Sequence, residues 1–211
     1  MTSGVRNTLL GLLALIAVVL GLFFYSFLSH HTLSDAQYKK LGYFPFHPPR
    51  DIGRFSLVDQ DGNKVGHDEL LGHWTLLYFG YTNCPDICPT TLATLARAMK
   101  RLTVRPAVVM VSVDPERDTP AKLKRYLSAF DPHFQGYTGS FQGVVGLAQQ
   151  VNIAFGKVPG PTPGTYEVNH SANIVVVNTE GQYAGFIRPG PKADNVARVL
   201  ASLMHAPLRN D

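Results

Sequence analysis

The sequence predicts an α/β domain that is built on a mixed β-sheet. Two apolar runs, Trp74–Tyr81 and Ala107–Val113, have the nearly continuous hydrophobicity of strands that are buried on both faces. A segment with apolar residues at helical spacing follows each run. Two further strand-like segments are joined by a turn at Thr179–Gly181. This order predicts parallel strands connected through a helix, followed by an antiparallel hairpin in the same sheet.

The remaining elements follow from about Asp51 onward. A hairpin comes first, because Phe55–Asp59 alternates like a strand and the turn Gln60–Asn63 leads into Lys64–Val65. The other predicted elements are a helical turn at Asp68–Leu71, helices at Thr90–Leu102, after Asp118, at Ser140–Val151 and at Asp194–His205, and strands at Ala172–Asn178 and Gln182–Ile187. We therefore predict a thioredoxin-like fold, in which helices flank a central mixed sheet that carries an N-terminal β-hairpin.

The segment Leu9–Leu28 contains no charged residue and is long enough to cross a bilayer as a helix. A cleaved signal peptide fits less well, because no Ala-x-Ala site follows this segment. The proline-rich stretch Phe44–Pro49 reads as stiff and non-helical. We predict a short tail and a single transmembrane anchor in residues 1–29, a tether in residues 30–50, and the thioredoxin-like domain in residues 51–211.

Charge and cysteine content exclude several classes of protein. The net charge is +4 and no dense basic block occurs, so nucleic acid is not an expected partner. The chain has two cysteines, both in one short segment, which excludes a disulfide scaffold. The pair is a local disulfide, a redox couple, a metal site or two inert buried thiols.

The two cysteines, Cys84 and Cys88, lie between the first central strand and the helix that follows it. Ligands of open α/β sheets collect at the carboxyl ends of strands, so this is a favourable position for a site. Cys-x-x-x-Cys spacing in a helical turn places both sulfurs on one face. A helix N-terminus at this point is expected to lower a thiol pKa and favour the thiolate.

Two segments of the chain resemble the signatures of the Sco/SenC copper proteins. They are Tyr78–Thr90, which contains both cysteines, and Ser112–Pro120. The family pattern Tyr-x-Val-Asp-His-Ser/Thr is matched by Tyr166–Ser171, so the resemblance assigns the role of third ligand to His170. By itself, a single histidine at a strand boundary is more often a surface or hydrogen-bonded residue. The sequence departs from the pattern at Asn169, where the family usually has Asp, and Asn can neither supply negative charge nor take a proton.

The resemblance implies one copper ion, Cu(I) or Cu(II), held by Cys84, Cys88 and His170. It implies a metallochaperone that delivers copper to the dinuclear centre of cytochrome c oxidase subunit II, prepares the cysteines of that centre, or serves another copper-assembly protein. The location would be an inner membrane, with the domain in the periplasm or the mitochondrial intermembrane space, where the compartment is oxidising. Two thiolates and an imidazole suit Cu(I), although the residues alone also fit zinc.

The alternative is an enzyme on the same fold, with Cys84 and Cys88 as the redox pair of a thiol–disulfide oxidoreductase or with one of them serving a peroxidase. Oxidoreductases usually have Cys-x-x-Cys, so the longer spacing argues against this interpretation. Enzymatic turnover stays an open question at this point.

Three acidic residues near the motifs have a structural interpretation. Asp114 and Asp118 are expected to cap the turn and the helix that follow them rather than to act as catalytic carboxylates. Asp86, between the cysteines, is expected to tune them or to cap their helix. The breaker-rich segment Gly156–Gly164 is predicted to be a long loop that carries His170 over the cysteines and moves when metal is passed on.

Overall fold

The structure is a computed structural model that describes residues 3–29 and 33–208. The chain divides into two compact units, one ending at Leu33 and one beginning at Ser34. The first few residues of the predicted tether, 30–32, lie outside the described residues.

The first unit contains one helix, α1 (Ser3–Ser29), which includes the whole of the uncharged segment Leu9–Leu28. Within the part of the chain that the structure describes, no helix meets the length and hydropathy that a membrane span requires.

The second unit is an α/β domain whose elements alternate along the chain. Its helices are α2 (Asp35–Leu41), α3 (Ile87–Lys100), α4 (Pro120–Ser128), α5 (Phe141–Gln150) and α6 (Ala193–Leu203), with a 3₁₀ turn at His67–Leu70. Its strands are β1 (Tyr43–Arg50), β2 (Leu57–Asp59), β3 (Lys64–Val65), β4 (Thr75–Gly80), β5 (Ala107–Ser112), β6 (Gln135–Thr138), β7 (Phe155–Pro159), β8 (Tyr166–His170), β9 (Ile174–Val177) and β10 (Tyr183–Ile187).

Eight strands form one mixed sheet in the order β1-β10-β9-β4-β5-β6-β2-β3. Strands β4, β5 and β6 run parallel, and the other neighbours pair antiparallel. Every residue of β4 is buried, as its continuous apolar run predicts. The α/β class, the central mixed sheet and the β9–β10 hairpin are therefore confirmed. Because β4 lies at the centre of the sheet, the loop that follows it is anchored by a fully buried strand.

The structure differs from the expected tether in residues 34–50. Helix α2 begins with a capping box, in which the Ser34 side chain accepts from the Gln37 backbone N–H and the Gln37 side chain accepts from the Ser34 N–H. Strand β1 follows and pairs with β10 at the edge of the sheet. The Tyr43 hydroxyl fixes the pairing by donating to the Ala184 carbonyl at 3.1 Å. The folded unit therefore begins well before Asp51.

The breaker-rich segment is a hairpin and not an irregular loop. Strands β7 and β8 form a separate two-stranded sheet, in register from Phe155 opposite His170 to Pro159 opposite Tyr166. The Gly and Pro residues are concentrated in the tip between the strands. At the base, the Ser171 backbone N–H donates to the Ala154 carbonyl at 2.8 Å. The hairpin delivers His170 to the end of β4.

Candidate metal centre

The cysteines lie where β4 passes into α3. Cys84 is in the connecting loop and is 9% exposed, whereas Cys88 is in the first turn of α3 and is fully buried. Pro89, also in that first turn, is tolerated because its missing N–H would have no helical partner there. The Cys88 backbone N–H donates to the Cys84 sulfur at 3.4 Å. The first turn of the helix therefore supplies a hydrogen-bond donor to the Cys84 sulfur. Both thiols are free.

His170 closes the group from the opposite side. Its Nδ1–H donates to the Ser171 carbonyl at 3.2 Å, which leaves the Nε2 lone pair available. Nε2 lies 3.4 Å from the Cys88 sulfur. The rings of Tyr78 and Tyr81 each form a T-shaped contact with the imidazole, with centroid distances of 6.2 Å and 6.1 Å. The imidazole is therefore oriented by one hydrogen bond and two aromatic contacts. The two tyrosines are contributors that sequence reasoning missed, although both stand within a few residues of Cys84.

The three donor atoms, one from each of Cys84, Cys88 and His170, lie within 4.8 Å of one another. The geometry brings together the three residues that the sequence singled out, from a loop, a helix and a hairpin. Their spacing is small enough for one metal ion to contact all three. Two soft sulfurs and one imidazole nitrogen suit Cu(I), and a fourth ligand such as water would complete a zinc set.

Burial sets the protonation of the group. It raises the pKa of the Cys88 thiol to about 12, and the neighbouring Cys84 acts in the same direction. Burial also lowers the pKa of His170. The expectation that the helix N-terminus lowers the thiol pKa is therefore wrong for Cys88, because desolvation outweighs the favourable end of the helix. Without metal, the group holds a protonated Cys88 thiol beside a neutral imidazole.

We expect metal affinity to rise with pH because of this protonation state. A metal ion binds the thiolate and must displace the Cys88 proton, since the raised pKa keeps the thiol protonated at neutral pH. His170 adds no proton above its lowered pKa. From pH 6.5 to 8, the apparent Cu(I) affinity should increase by at least about tenfold per pH unit. Competition with a chelator of known proton affinity measures this slope, and a flat profile would show that Cys88 is not a ligand.

A cleft of 390 Å³ opens beside the donor atoms. Cys84, Pro85, Val158, Glu167, Asn169 and His170 are among the residues that line it. Gly80 keeps the inner side of the site open, because a Cβ there would lie 3.2 Å from the Cys88 sulfur and 2.9 Å from the Tyr78 ring. Cys84 and His170 face this cleft, whereas Cys88 is fully buried behind them.

The helix caps expected of Asp118 and Asp86 are not formed by their side chains. Thr119 caps α4, with its side chain accepting from the Lys122 backbone N–H. Asp118 instead accepts from the Thr82 backbone N–H at 3.0 Å and from the Ser112 hydroxyl at 2.8 Å, which fixes the cysteine loop to the end of β5. Asp86 stands at the N-cap of α3 without a capping side-chain bond. The caps were predicted from residue type alone. In the folded domain, Asp118 lies close to Thr82 and Ser112 and accepts from them instead of from the helix N-terminus.

The fold and the site together define a thioredoxin-like domain with a two-cysteine, one-histidine candidate metal centre. The sequence profile of the SCO1/SenC family matches residues 47–205, so the chain belongs to the SCO1/SenC family. The matched region includes the cysteine loop, the Ser112–Pro120 segment and His170.

Solved structures of this family share the domain. The chain is similar to Arabidopsis thaliana ScoI with copper bound, with a TM-score of 0.70, 33% identity and coverage of 74% of this chain and 99% of that one. It is similar to yeast Sco1 with copper bound, with a TM-score of 0.69, 32% identity and coverage of 74% and 90%. The likeness therefore extends over nearly all of both copper-bound domains.

The chain is also similar in sequence to curated proteins. A Stutzerimonas stutzeri protein is 38% identical over 160 residues, which are 74% of this chain and 78% of that protein. Mitochondrial SCO1 of Saccharomyces cerevisiae is 38% identical over 136 residues, which are 62% of this chain and 46% of the yeast protein. The chain thus spans under half the length of the yeast relative and more than three quarters of the Stutzerimonas one.

Proposed function

We propose that this protein is a membrane-anchored copper metallochaperone, which binds one copper ion through Cys84, Cys88 and His170 and serves the assembly of the dinuclear copper centre of cytochrome c oxidase. The acceptor is subunit II of the oxidase or another copper-assembly protein. The observation that carries the proposal is the convergence of the three donor atoms within 4.8 Å, in a domain of the SCO1/SenC family.

Copper is favoured over zinc by two arguments. The donor set is soft and three-membered, which satisfies Cu(I), whereas a zinc ion needs a fourth ligand. The Arabidopsis and yeast domains to which this chain is similar have copper bound.

Copper titration of the full chain in detergent, reduced and without oxygen, tests the proposal. We expect one Cu(I) per chain, and a sulfur-to-copper charge-transfer band in the Cu(II) form. The same titration with Zn²⁺ alone serves as the control. Absence of copper binding, or zinc binding that copper does not displace, would contradict the proposal.

The anchor and the location are part of the proposal. They are supported by the uncharged segment Leu9–Leu28, which is long enough to cross a bilayer, and by the mitochondrial location of the yeast relative. The domain then faces the periplasm, or the intermembrane space of a mitochondrion, from an inner membrane. Copper would be received and passed on close to the membrane that holds the oxidase.

We expect two arginines in the middle of the segment to release the protein from membranes. The double variant Leu15→Arg and Val18→Arg places two charges where each costs about 2.5–3.5 kcal/mol of insertion free energy. The protein should move from the carbonate-washed membrane pellet to the supernatant. A matched control, Leu71→Arg and Val104→Arg, changes two exposed apolar residues of the second unit. Equal retention of both double variants in the pellet would contradict the anchor.

A thiol–disulfide reductase acting on the cysteines of a partner is the alternative. The full burial of Cys88 does not favour it, because a reactive thiol has to be partly exposed to meet a partner's disulfide. Replacing His170 with alanine separates the two functions, since thiol chemistry should survive and copper binding should weaken. Asn169 lines the cleft where the family usually has Asp, so a redox step that needs a carboxylate there would be impaired.

A further inference from the structure

The hairpin that carries His170 is attached to the rest of the domain at Tyr166, the first residue of strand β8, whereas His170 is the last residue of that strand. The Tyr166 hydroxyl donates to Asp114 at 2.8 Å. The Arg117 side chain donates through Nε to the same carboxylate, and one of its terminal nitrogens donates to the Tyr166 carbonyl at 3.2 Å. The guanidinium also lies over the Tyr166 ring, 3.8 Å from its centroid. Three different contacts therefore hold one residue of the hairpin.

Asp114 also connects to the cysteine loop. It is 1% exposed, and its backbone N–H donates to the Ser112 hydroxyl at 3.1 Å. That hydroxyl donates in turn to the fully buried Asp118, which accepts from the backbone of Thr82. A continuous chain of hydrogen bonds thus joins the hairpin to the loop that precedes Cys84.

Besides these contacts and those of His170, the hairpin is held by an ion pair of Lys157 with Glu116 at 2.6 Å and by a contact of the Phe155 and Phe141 rings, and few of its side chains are buried. Four of the five residues of β7 are exposed, and in β8 only Val168 is buried. An isolated two-stranded hairpin is at best marginally stable in water. The contacts of Tyr166 therefore add three attachments to a hairpin that buries little of its own surface.

We propose that Asp114, Arg117 and Tyr166 form a latch that positions His170 for copper. These are positioning residues, because none of them is a donor atom of the candidate site. The latch and the hydrogen bonds of Asp118 with Ser112 and Thr82 together keep His170 at a fixed distance from the two cysteines. Opening the latch lets the hairpin swing and exposes the ion to an acceptor. The inference rests on the proposed function and deepens it, by assigning a control of copper release to the Ser112–Pro120 segment.

The substitution Tyr166→Phe tests the latch by removing one hydroxyl and keeping the ring under Arg117. Because outer contacts of a metal ligand typically change affinity about 10- to 100-fold, we expect Cu(I) to be lost to a competing chelator faster by a factor in that range. In the Cu(II) form, the electron paramagnetic resonance signal should lose part of its coupling to the imidazole nitrogen. Tyr38→Phe is the matched control, because it removes a buried tyrosine hydroxyl that bonds Ser202 at 2.9 Å, outside the candidate site.

Both variants are compared with the parent protein well below their melting temperatures. Loss of Cu(I) from Tyr166→Phe at the rate of Tyr38→Phe or of the parent would overturn the latch. A parent protein that binds no copper would instead overturn the proposed function. The double variant Tyr166→Phe, His170→Ala adds a second measurement. It should lose copper at the rate of His170→Ala alone, and a further acceleration would show that the latch acts on something other than His170.

Discussion

Replacing Cys88 with serine is expected to weaken copper binding by several orders of magnitude. The residue is fully buried, its sulfur lies 3.4 Å from the His170 nitrogen, and a hydroxyl is a poor ligand for a soft ion. Structural zinc sites contribute about 10–16 kcal/mol, and if copper is bound with similar strength, removing one of three ligands should weaken Cu(I) binding by about two to four orders of magnitude. Anaerobic titration against a Cu(I) chelator measures the loss.

A buried site on the same helix provides the control for this substitution. Thr91→Ser changes a residue that is 3% exposed and lies in the next turn of α3, and it should leave the copper affinity unchanged. Circular dichroism should show that both serine variants remain folded. Copper binding by Cys88→Ser at the level of the Thr91 variant would remove Cys88 from the ligand set.

Replacing Asp118 with alanine is expected to produce the largest loss of stability. The carboxylate is fully buried and accepts hydrogen bonds from Thr82 and Ser112, and Lys122 approaches it to 3.3 Å. Its removal leaves buried donors without an acceptor, and the free energy of unfolding should fall by about 2–4 kcal/mol. The cysteine loop loses its attachment at the same time, so copper affinity should fall with stability. Urea unfolding with and without Cu(I) measures both effects.

Two variants bracket this result. Asp118→Asn keeps an oxygen acceptor in place and should lose less stability than the alanine variant. Asp61→Ala removes an exposed carboxylate that pairs with Lys124 at 2.5 Å on the surface, and it should change stability little. If Asp118→Ala unfolds at the same urea concentration as Asp61→Ala, the buried network does not stabilise the loop.

Periodicity and buried apolar runs were sufficient to predict the centre of the domain. The runs Trp74–Tyr81 and Ala107–Val113 contain β4 and β5, which pair in parallel as expected. Strands that are buried on both faces leave this signal because hardly any polar residue is tolerated in them. The candidate site followed from the junction between β4 and α3 together with the family resemblance for His170.

The edges of the domain could not be predicted in the same way. Prolines at positions 45, 48 and 49 indicated an irregular tether, yet β1 tolerates them because it lies at the edge of the sheet, with a partner on one side only. Strand β6 was missed for another reason, since it lies inside the sheet between β5 and β2 but is four residues long and begins with exposed Gln135, which gives a weak pattern. In both places the structure depends on the neighbouring strand more than on local preference.

The hairpin and its latch were also beyond local patterns. The exposed strand β7 has no clear alternation, so its residues were grouped with the breakers of the tip as one loop. Asp114 bonds with Tyr166, and Asp118 bonds with Thr82. Both partners are distant from the carboxylates in the sequence. Residue type alone favoured capping of a turn by Asp114 and of a helix by Asp118, and only tertiary contacts identify the network.

The coordination shell of copper in the loaded protein is the most direct test of the account. X-ray absorption at the copper edge should be measured on the full chain loaded with Cu(I), and on the His170→Ala variant. We expect two sulfurs and one imidazole nitrogen in the parent protein, and loss of the nitrogen contribution in the variant. An identical spectrum for both proteins, or a shell without sulfur, would contradict a centre formed by Cys84, Cys88 and His170.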